Sequence, residues 1–364
     1  MKPLRIFNPN LELVAEIDDY DSLIVTRKWH TFGDISLAIH RDKKHADKLI
    51  NGNILLPGAD FKNAGVIRRR EGNLDTLTIQ APFLGSYLAQ RVIVPQPAFT
   101  GPAESVMKHL VDTQAVNPVN PFPDEELNYF LLPFMPASFM WRKPFREFRN
   151  MVIAEDGGKG TTITREGKYQ QLSAELESIS KQSGLGWGVR LDNRQLIFEV
   201  YEGNNHTITG DNPVIFSPEF DNVQDQHFTD SLIEYKNAVY VANETEVAEV
   251  GEATGAERFE HFVKAPDGVD LQEHGTLVLL DTLPVFTLEA EALGTSFVYK
   301  KDWDLGDMVT IRNRSWGIQG DTRITQVQEV YEPNNVQVNI TFGESAPTII
   351  DKVKHEIKRT TGGI

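Results

Sequence analysis

Apolar and polar residues alternate along much of this chain, most clearly between Phe297 and Glu344. Met308-Val309-Thr310-Ile311, Ile324-Thr325-Gln326-Val327 and Val336-Gln337-Val338-Asn339-Ile340 place apolar side chains mostly at every second position. A pleated strand sends successive side chains to opposite faces, so this spacing predicts three half-buried strands. Leu305-Gly306-Asp307 precedes the first of them. Glycine reaches φ > 0 without a Cβ clash and aspartate bonds nearby backbone, so a sharp turn is expected there. Pro333-Asn334-Asn335 supplies a hairpin turn between the last two strands.

The same alternation predicts short strands at Leu11 to Ile17, Ser22 to Lys28, Ile35 to His40 and Thr76 to Ala81. Asn51-Gly52-Asn53 and Glu71-Gly72-Asn73 are tight-turn signals between them, and Arg41 to Ile50 can form a short helix. Pro95, Pro97 and Pro102 break the pattern, after which Val106, Leu110 and Val111 predict a helix over Ala103 to Gln114. Asn117 to Phe148 holds six prolines, six phenylalanines, two methionines and Trp141. That composition suits neither a regular element nor a disordered linker, and predicts an apolar loop packed on another subunit or domain, or else on its own. Glu155 to Gly167 reads as a flexible Gly-rich loop.

Leu172, Leu176 and Ile179 share one face of a helix expected from Tyr169 to Ser183 and ended by Ser183-Gly184-Leu185-Gly186, and a hairpin over Trp187 to Leu191 and Gln195 to Tyr201 follows. Further strands are expected at Ser231 to Tyr235, Ala238 to Ala242 and Arg258 to Val263, with a helix at Val269 to Leu280 and a short basic helix at Ile350 to Lys358. Phe32-Gly33-Asp34-Ile35 and Leu305-Gly306-Asp307-Met308 both set a Gly-Asp pair before a strand, the trace two barrels of one design would leave. The predicted fold is mainly β with an α+β insertion: two small β-barrels of related design plus an α+β module. The expected domains are 1–98 (first barrel), 99–212 (α+β, with the 117–148 loop), 213–346 (second barrel) and 347–364 (tail).

Composition removes several functions. The 364 residues contain no cysteine, which excludes disulfides, thiolate nucleophiles and cysteine-ligated metals. A hydrophobic content of 40% and a charged content of 24% are ordinary for a globular protein, and no apolar run reaches the length of a membrane span. The opening MKPLRIFNPN lacks a signal core, so synthesis in the cytoplasm without Sec export is expected. Thirty-six Lys and Arg against 52 Asp and Glu give a net charge of −16, which repels phosphate backbones and argues against sequence-specific nucleic-acid binding.

No constellation of residues specifies a reaction. His40 and His45 near Asp42 and Asp47 lack a third ligand at metal spacing. Glu257, Glu260 and His261 would divide across the two faces of a strand. Glu155 to Thr162 looks like a phosphate loop, but Lys159 precedes Gly160 where Ser or Thr is needed. Asp302, Asp304, Asp307 and Asp321 lack the order of a calcium loop and read as carboxylates on a water-exposed rim. No catalytic, cofactor-binding or metal residue is therefore named, and no cofactor is expected.

Taken in order, LRIFNPNLELVAEIDDYDSLIVTRKWHTFGDISLAI, FSPEFDNV, YKNAVYVA, ERFEHFVKA, DWDLGDMVTI and VQVNITFGE resemble a siphovirus tail-hub family over residues 4–344. These are tail-tip or baseplate hubs of long-tailed phages and prophages, similar in fold to myovirus baseplate hubs and type VI secretion spike hubs. The resemblance implies a structural protein rather than an enzyme. It implies a homotrimer whose two barrels per subunit form a pseudo-hexameric ring between the sixfold tail tube and the threefold tip, lining the DNA path. Implied partners are a distal tail protein, a tape measure protein and tip, receptor-binding or fibre proteins, in the virion and without a membrane span. Acidic residues facing the lumen would let DNA slide past. The alternatives are a tail-associated cell-wall hydrolase acting on peptidoglycan or carbohydrate, and a carbohydrate-binding adhesin using Trp141 or Trp187.

Overall fold

The computed structural model describes residues 2–118, 146–148, 150–167, 169–265, 269–280 and 282–343. Most of the Pro- and Phe-rich stretch with Trp141, and the tail with its expected helix, lie outside the described residues. The chain forms two compact units, Met1–Asn222 with Glu291–Ile340, and Val223–Ala290 with the residues from Thr341. Each contains pieces of more than one expected domain.

The first unit begins with β1 (Leu4–Phe7), β2 (Leu13–Ile17), β3 (Ser22–Lys28), β4 (Asp34–His40), β5 (Ile54–Pro57), β6 (Gly65–Val66), β7 (Arg69–Gly72) and β8 (Thr76–Pro82). After them come β9 (Gln96–Pro102), α1 (Ala103–Val111), β10 (Met151–Ile153), β11 (Thr162–Gly167) and α2 (Leu172–Ser183). The hairpin β12 (Gly186–Asp192) and β13 (Gln195–Tyr201) and the short β14 (Asn205–His206) and β15 (Ile215–Phe216) complete this passage. The second unit holds β16 (Val223–Ser231), β17 (Ala238–Ala242), β18 (Val247–Val250), β19 (Glu260–Lys264), α3 (Leu271–Leu280) and most of β20 (Val285–Ala292). The return to the first unit supplies β21 (Met308–Asn313), β22 (Ile318–Glu332) and most of β23 (Asn335–Gly343).

The three strands expected near the end are these last three, and the predominance of strands in several sheets bears out the mainly β class. In the first unit the order β23-β22-β3-β4-β8-β7 brings the closing strands against the opening ones. Strand β22 pairs antiparallel with β3, Val327 opposite Arg27 and Tyr331 opposite Leu23. A second sheet runs β2-β1-β5-β6.

Strand β5 explains why the α+β segment does not stand apart. All four of its residues are buried. Leu55 joins Leu4, Ile6, Leu23, Leu37 and Ile79 in one core. Ile54 and Leu56 join the core of α1, α2 and the hairpin, with Val106, Leu176, Trp187 and Phe198. An uninterrupted apolar run is what a strand covered on both faces requires.

Several local expectations are corrected. Pro97 and Pro102 lie inside β9, which pairs antiparallel with β11. These two strands form a sheet by themselves, so each keeps an outer edge where a missing N–H costs nothing. The pairing also makes a strand of Thr162–Gly167, the end of the expected flexible loop. Arg41 to Ile50 contains only the single 3-10 turn Ala46–Lys48. The strand expected at Ser231 to Tyr235 lies earlier, at Val223–Ser231, where polar residues on both faces hid it. The two Gly-Asp pairs are unlike: Gly306 has φ +94°, whereas Gly33 is constrained by space, since a Cβ on it would stand 1.8 Å from the Thr26 carbonyl oxygen.

In the second unit α3 lies on one face of the sheet β18-β17-β19, over Val239 and Val241. Gly275 lets the helix approach, because a Cβ there would meet Val250 Cγ2 at 2.5 Å.

Candidate functional site: the closing turn and its ionic cluster

The register of β22 on β3 puts Arg27, Glu329 and Tyr331 on one face, since residues two apart along a strand point the same way. Arg27 Nη1 donates to Asp304 Oδ1 at 2.5 Å and to the Tyr299 hydroxyl at 2.8 Å. The Tyr299 hydroxyl donates to Glu329 Oε1 at 3.0 Å, and Lys2 Nζ donates to Glu329 Oε2 at 2.5 Å. Lys300 Nζ bridges Asp60 Oδ2 at 2.9 Å and Glu329 Oε1 at 3.2 Å. Three cations thus meet three carboxylates, drawn from the start of the chain, β3, the loop after β5, the 299–304 turn and β22.

Burial alone would raise the Glu329 carboxyl, but Lys2 and Lys300 outweigh it and hold the group down at about 2. Burial pushes Tyr299 up, so its hydroxyl stays a proton donor within the cluster. Removing one partner of such a cluster leaves a buried charge unanswered, which costs more than the intact pairs contribute.

Beside the cluster the chain turns at Gly306, whose N–H donates to the Ile324 carbonyl at 2.9 Å. Asp307 is 3% exposed, and its carboxylate accepts from the backbone N–H of Asn204 and of Asp304, both at 2.7 Å. The turn expected from Leu305-Gly306-Asp307 is therefore present, but Asp307 is buried rather than set on a wet rim. Asp302 accepts from Val298 N–H, and Asp321 accepts from the Thr310 hydroxyl. With Asp304 committed to Arg27, these four carboxylates answer different partners.

Trp29, at the end of β3, organises this corner. Its indole N–H donates to the Gly184 carbonyl at 3.0 Å, Arg323 lies 5.5 Å from its ring, and a Cβ on Gly186 would meet it at 2.7 Å. Gly184, with φ +74°, is the left-handed cap that ends α2. A cavity of about 190 Å³ opens here, lined by Arg27, Trp29, Lys62, Trp187, Tyr201 and Asp304. Nothing in the sequence marked Trp29; the close Gly184 and Gly186 were the available signal.

The remaining candidates also resolve into structural roles. Trp187 is buried, and its indole N–H donates to the His30 carbonyl at 2.9 Å, so it offers no platform for a sugar. His30 Nδ1 stands 2.8 Å from Ser180 Oγ, which itself donates to the Leu185 carbonyl. The histidine is therefore the donor to that serine and cannot act as its base. The loop resembling a phosphate cradle is filled from within, as Lys159 N–H donates to Glu104 Oε2 at 3.0 Å and Lys108 Nζ joins Glu104 to the Glu155 carbonyl. Glu257 sits in the 3-10 turn Gly255–Glu257 outside β19, and Glu260 accepts from Arg258. His40 stands 3.7 Å from Asp42, and Asp47 pairs with Lys48. Among the described residues no cluster of three or more His, Asp or Glu is placed to hold a metal.

The model of the family described as Siphovirus ReqiPepy6 Gp37-like protein matches residues 3–344. No curated protein matches the sequence. Three solved structures share the fold at low identity. The tail protein from Neisseria meningitidis MC58 is 12% identical with a TM-score of 0.52, over 95% of this chain and 97% of that one. The 43 kDa tail protein of prophage MuSo2 from Shewanella oneidensis is 10% identical with a TM-score of 0.54, over 94% and 98%. Prophage tail protein gp18 from Listeria monocytogenes EGD-e is 11% identical with a TM-score of 0.52, over 100% of both. With the family model matching residues 3–344, nearly the whole chain, the protein belongs to the Siphovirus ReqiPepy6 Gp37-like family and has the fold of these tail proteins.

Proposed function

We propose that this protein is a structural subunit of a phage tail tip: a hub that assembles as a homotrimer, makes a ring from two barrel domains per subunit, and joins the sixfold tail tube to the threefold tip around the DNA path. The observation that carries this reading is the family match over 3–344 combined with a fold shared along at least 94% of both chains with three tail proteins. In support, the carboxylates considered for metal binding at the closing turn are taken up in holding elements together. The expected partners are a distal tail protein, a tape measure protein and tip or receptor-binding proteins in the virion.

Light scattering followed by negative-stain imaging of the purified chain tests the proposal. The expected result is a trimeric ring; a monomer at assembly concentrations would overturn it, as would release of muropeptides from host cell walls by the purified chain. An acidic lumen is the expected use of the net charge of −16, and an electropositive channel in a trimer would contradict that part.

A further inference from the structure

The negative charge of this protein is unevenly placed. Between Val223 and Ala290 there are 14 Asp and Glu against 3 Lys and Arg, a net −11 of the chain's −16. This stretch is the body of the second unit, and among the described residues its sheet β18-β17-β19 carries a helix on one face only. Pairing sets the faces: Tyr240 stands opposite Glu249 and Phe262, and Ala242 opposite Val247 and Lys264. These residues alternate with Val239, Val241 and Val250, which pack under α3, so they form the other face.

That open face has an apolar centre and an acidic rim. Phe262 is 57% exposed and Val247 69% exposed, unusual for large apolar side chains on a regular sheet. Glu249 and Glu260 stand on this face by their pairing, and Glu244, Glu246, Glu252 and Glu257 are exposed in the segments that border its strands. Arg258, within the same stretch, is held by Glu249 at 2.5 Å, Glu260 at 2.6 Å and the Tyr240 hydroxyl at 3.2 Å.

We infer that this face is a docking surface for a basic segment of a partner protein, one that lays apolar side chains over Phe262 and Val247 and sets Lys or Arg against the glutamate rim. Charge complementarity selects the occupant. A second copy would bring another strongly acidic unit against this one, and a nucleic acid would bring phosphates; both are repelled. Hydrophobic contact at the centre with opposite charges at the rim is the usual anatomy of a protein interface. The surface belongs to the second unit alone and has the same meaning with or without a ring.

The test titrates the full-length protein with a fluorescent peptide of alternating lysine and leucine, and with its glutamate-for-lysine counterpart, reading anisotropy at low and high salt. The expected result is salt-sensitive binding of the basic peptide only, weakened about tenfold in the Phe262→Ser, Val247→Ser double variant, which leaves the charge unchanged. Both positions are exposed, so an unaltered melting curve is expected to accompany the loss. Undiminished binding by the double variant would reduce the effect to general attraction and overturn the proposal. Equal binding of the acidic peptide would also overturn it, as would self-association of the wild type that the double variant abolishes.

Discussion

Trp29 leaves no room for a side chain on Gly306: a Cβ built there would stand 2.0 Å from ring carbon Cζ3, and the glycine has φ +94°. Gly306→Ala therefore combines left-handed backbone strain with overpacking, together roughly 3 kcal/mol. The melting temperature is expected to fall by several degrees, and further for Gly306→Val. An unchanged melting temperature would show that the turn relaxes away from the indole.

Asp307 answers two backbone donors with two oxygens. Asp307→Asn keeps the shape but turns one acceptor into a donor facing an N–H, at a cost of about 2 kcal/mol or more. Denaturant titration should show a lower midpoint with an unchanged slope; a stability equal to wild type would mean that the contacts are dispensable.

His30 is neutral in the folded protein, since burial first, and then the charges of Lys181 and Arg323, bring it down to about 3 from 6.5. The unfolded chain takes up this proton first, so the stability involved is complete above pH 6.5 and is lost as pH falls toward 3. At pH 5 the loss is about 2 kcal/mol. His30→Gln should flatten stability between pH 6.5 and 4.5. A slope as steep as wild type in that window would assign the dependence to other groups.

Glu329 acts in a lower window. With its carboxyl held at about 2 against an ordinary 4.5, its contribution is present above pH 4.5 and disappears as pH falls from there toward 2. Glu329→Gln should cost on the order of 3 kcal/mol at neutral pH, where Lys2 and Lys300 lose their shared partner, and should flatten the acid limb below pH 4.5. Chemical denaturation across this range separates it from the histidine effect.

Much of the strand content was legible because alternation alone specifies a half-buried strand, as at Ser22–Lys28, Ala238–Ala242 and Met308–Asn313. The helix ending at Gly184 was legible from its apolar face and its cap. Strand β9 was not, because a proline forbids only a paired N–H, and which side of a strand is paired is decided by tertiary structure. The ionic cluster was invisible for a different reason. Lys2, Arg27, Asp60, Lys300, Asp304 and Glu329 are ordinary surface residues by type, and only the pairing of β22 with β3 brings them together. Trp29 likewise depends on glycines far along the chain for its surroundings.

That pairing of β22 with β3 also sets a timetable. Lys28 lies opposite Gln326, so β3 must wait for nearly the whole chain before that flank is satisfied. At about 5–20 residues per second of synthesis, the delay is on the order of tens of seconds. Its hairpin partner β4 arrives at once, but the other flank stays open to any strand nearby. A nascent chain interrupted before Gln326 keeps that flank bare, so truncated products are expected in inclusion bodies.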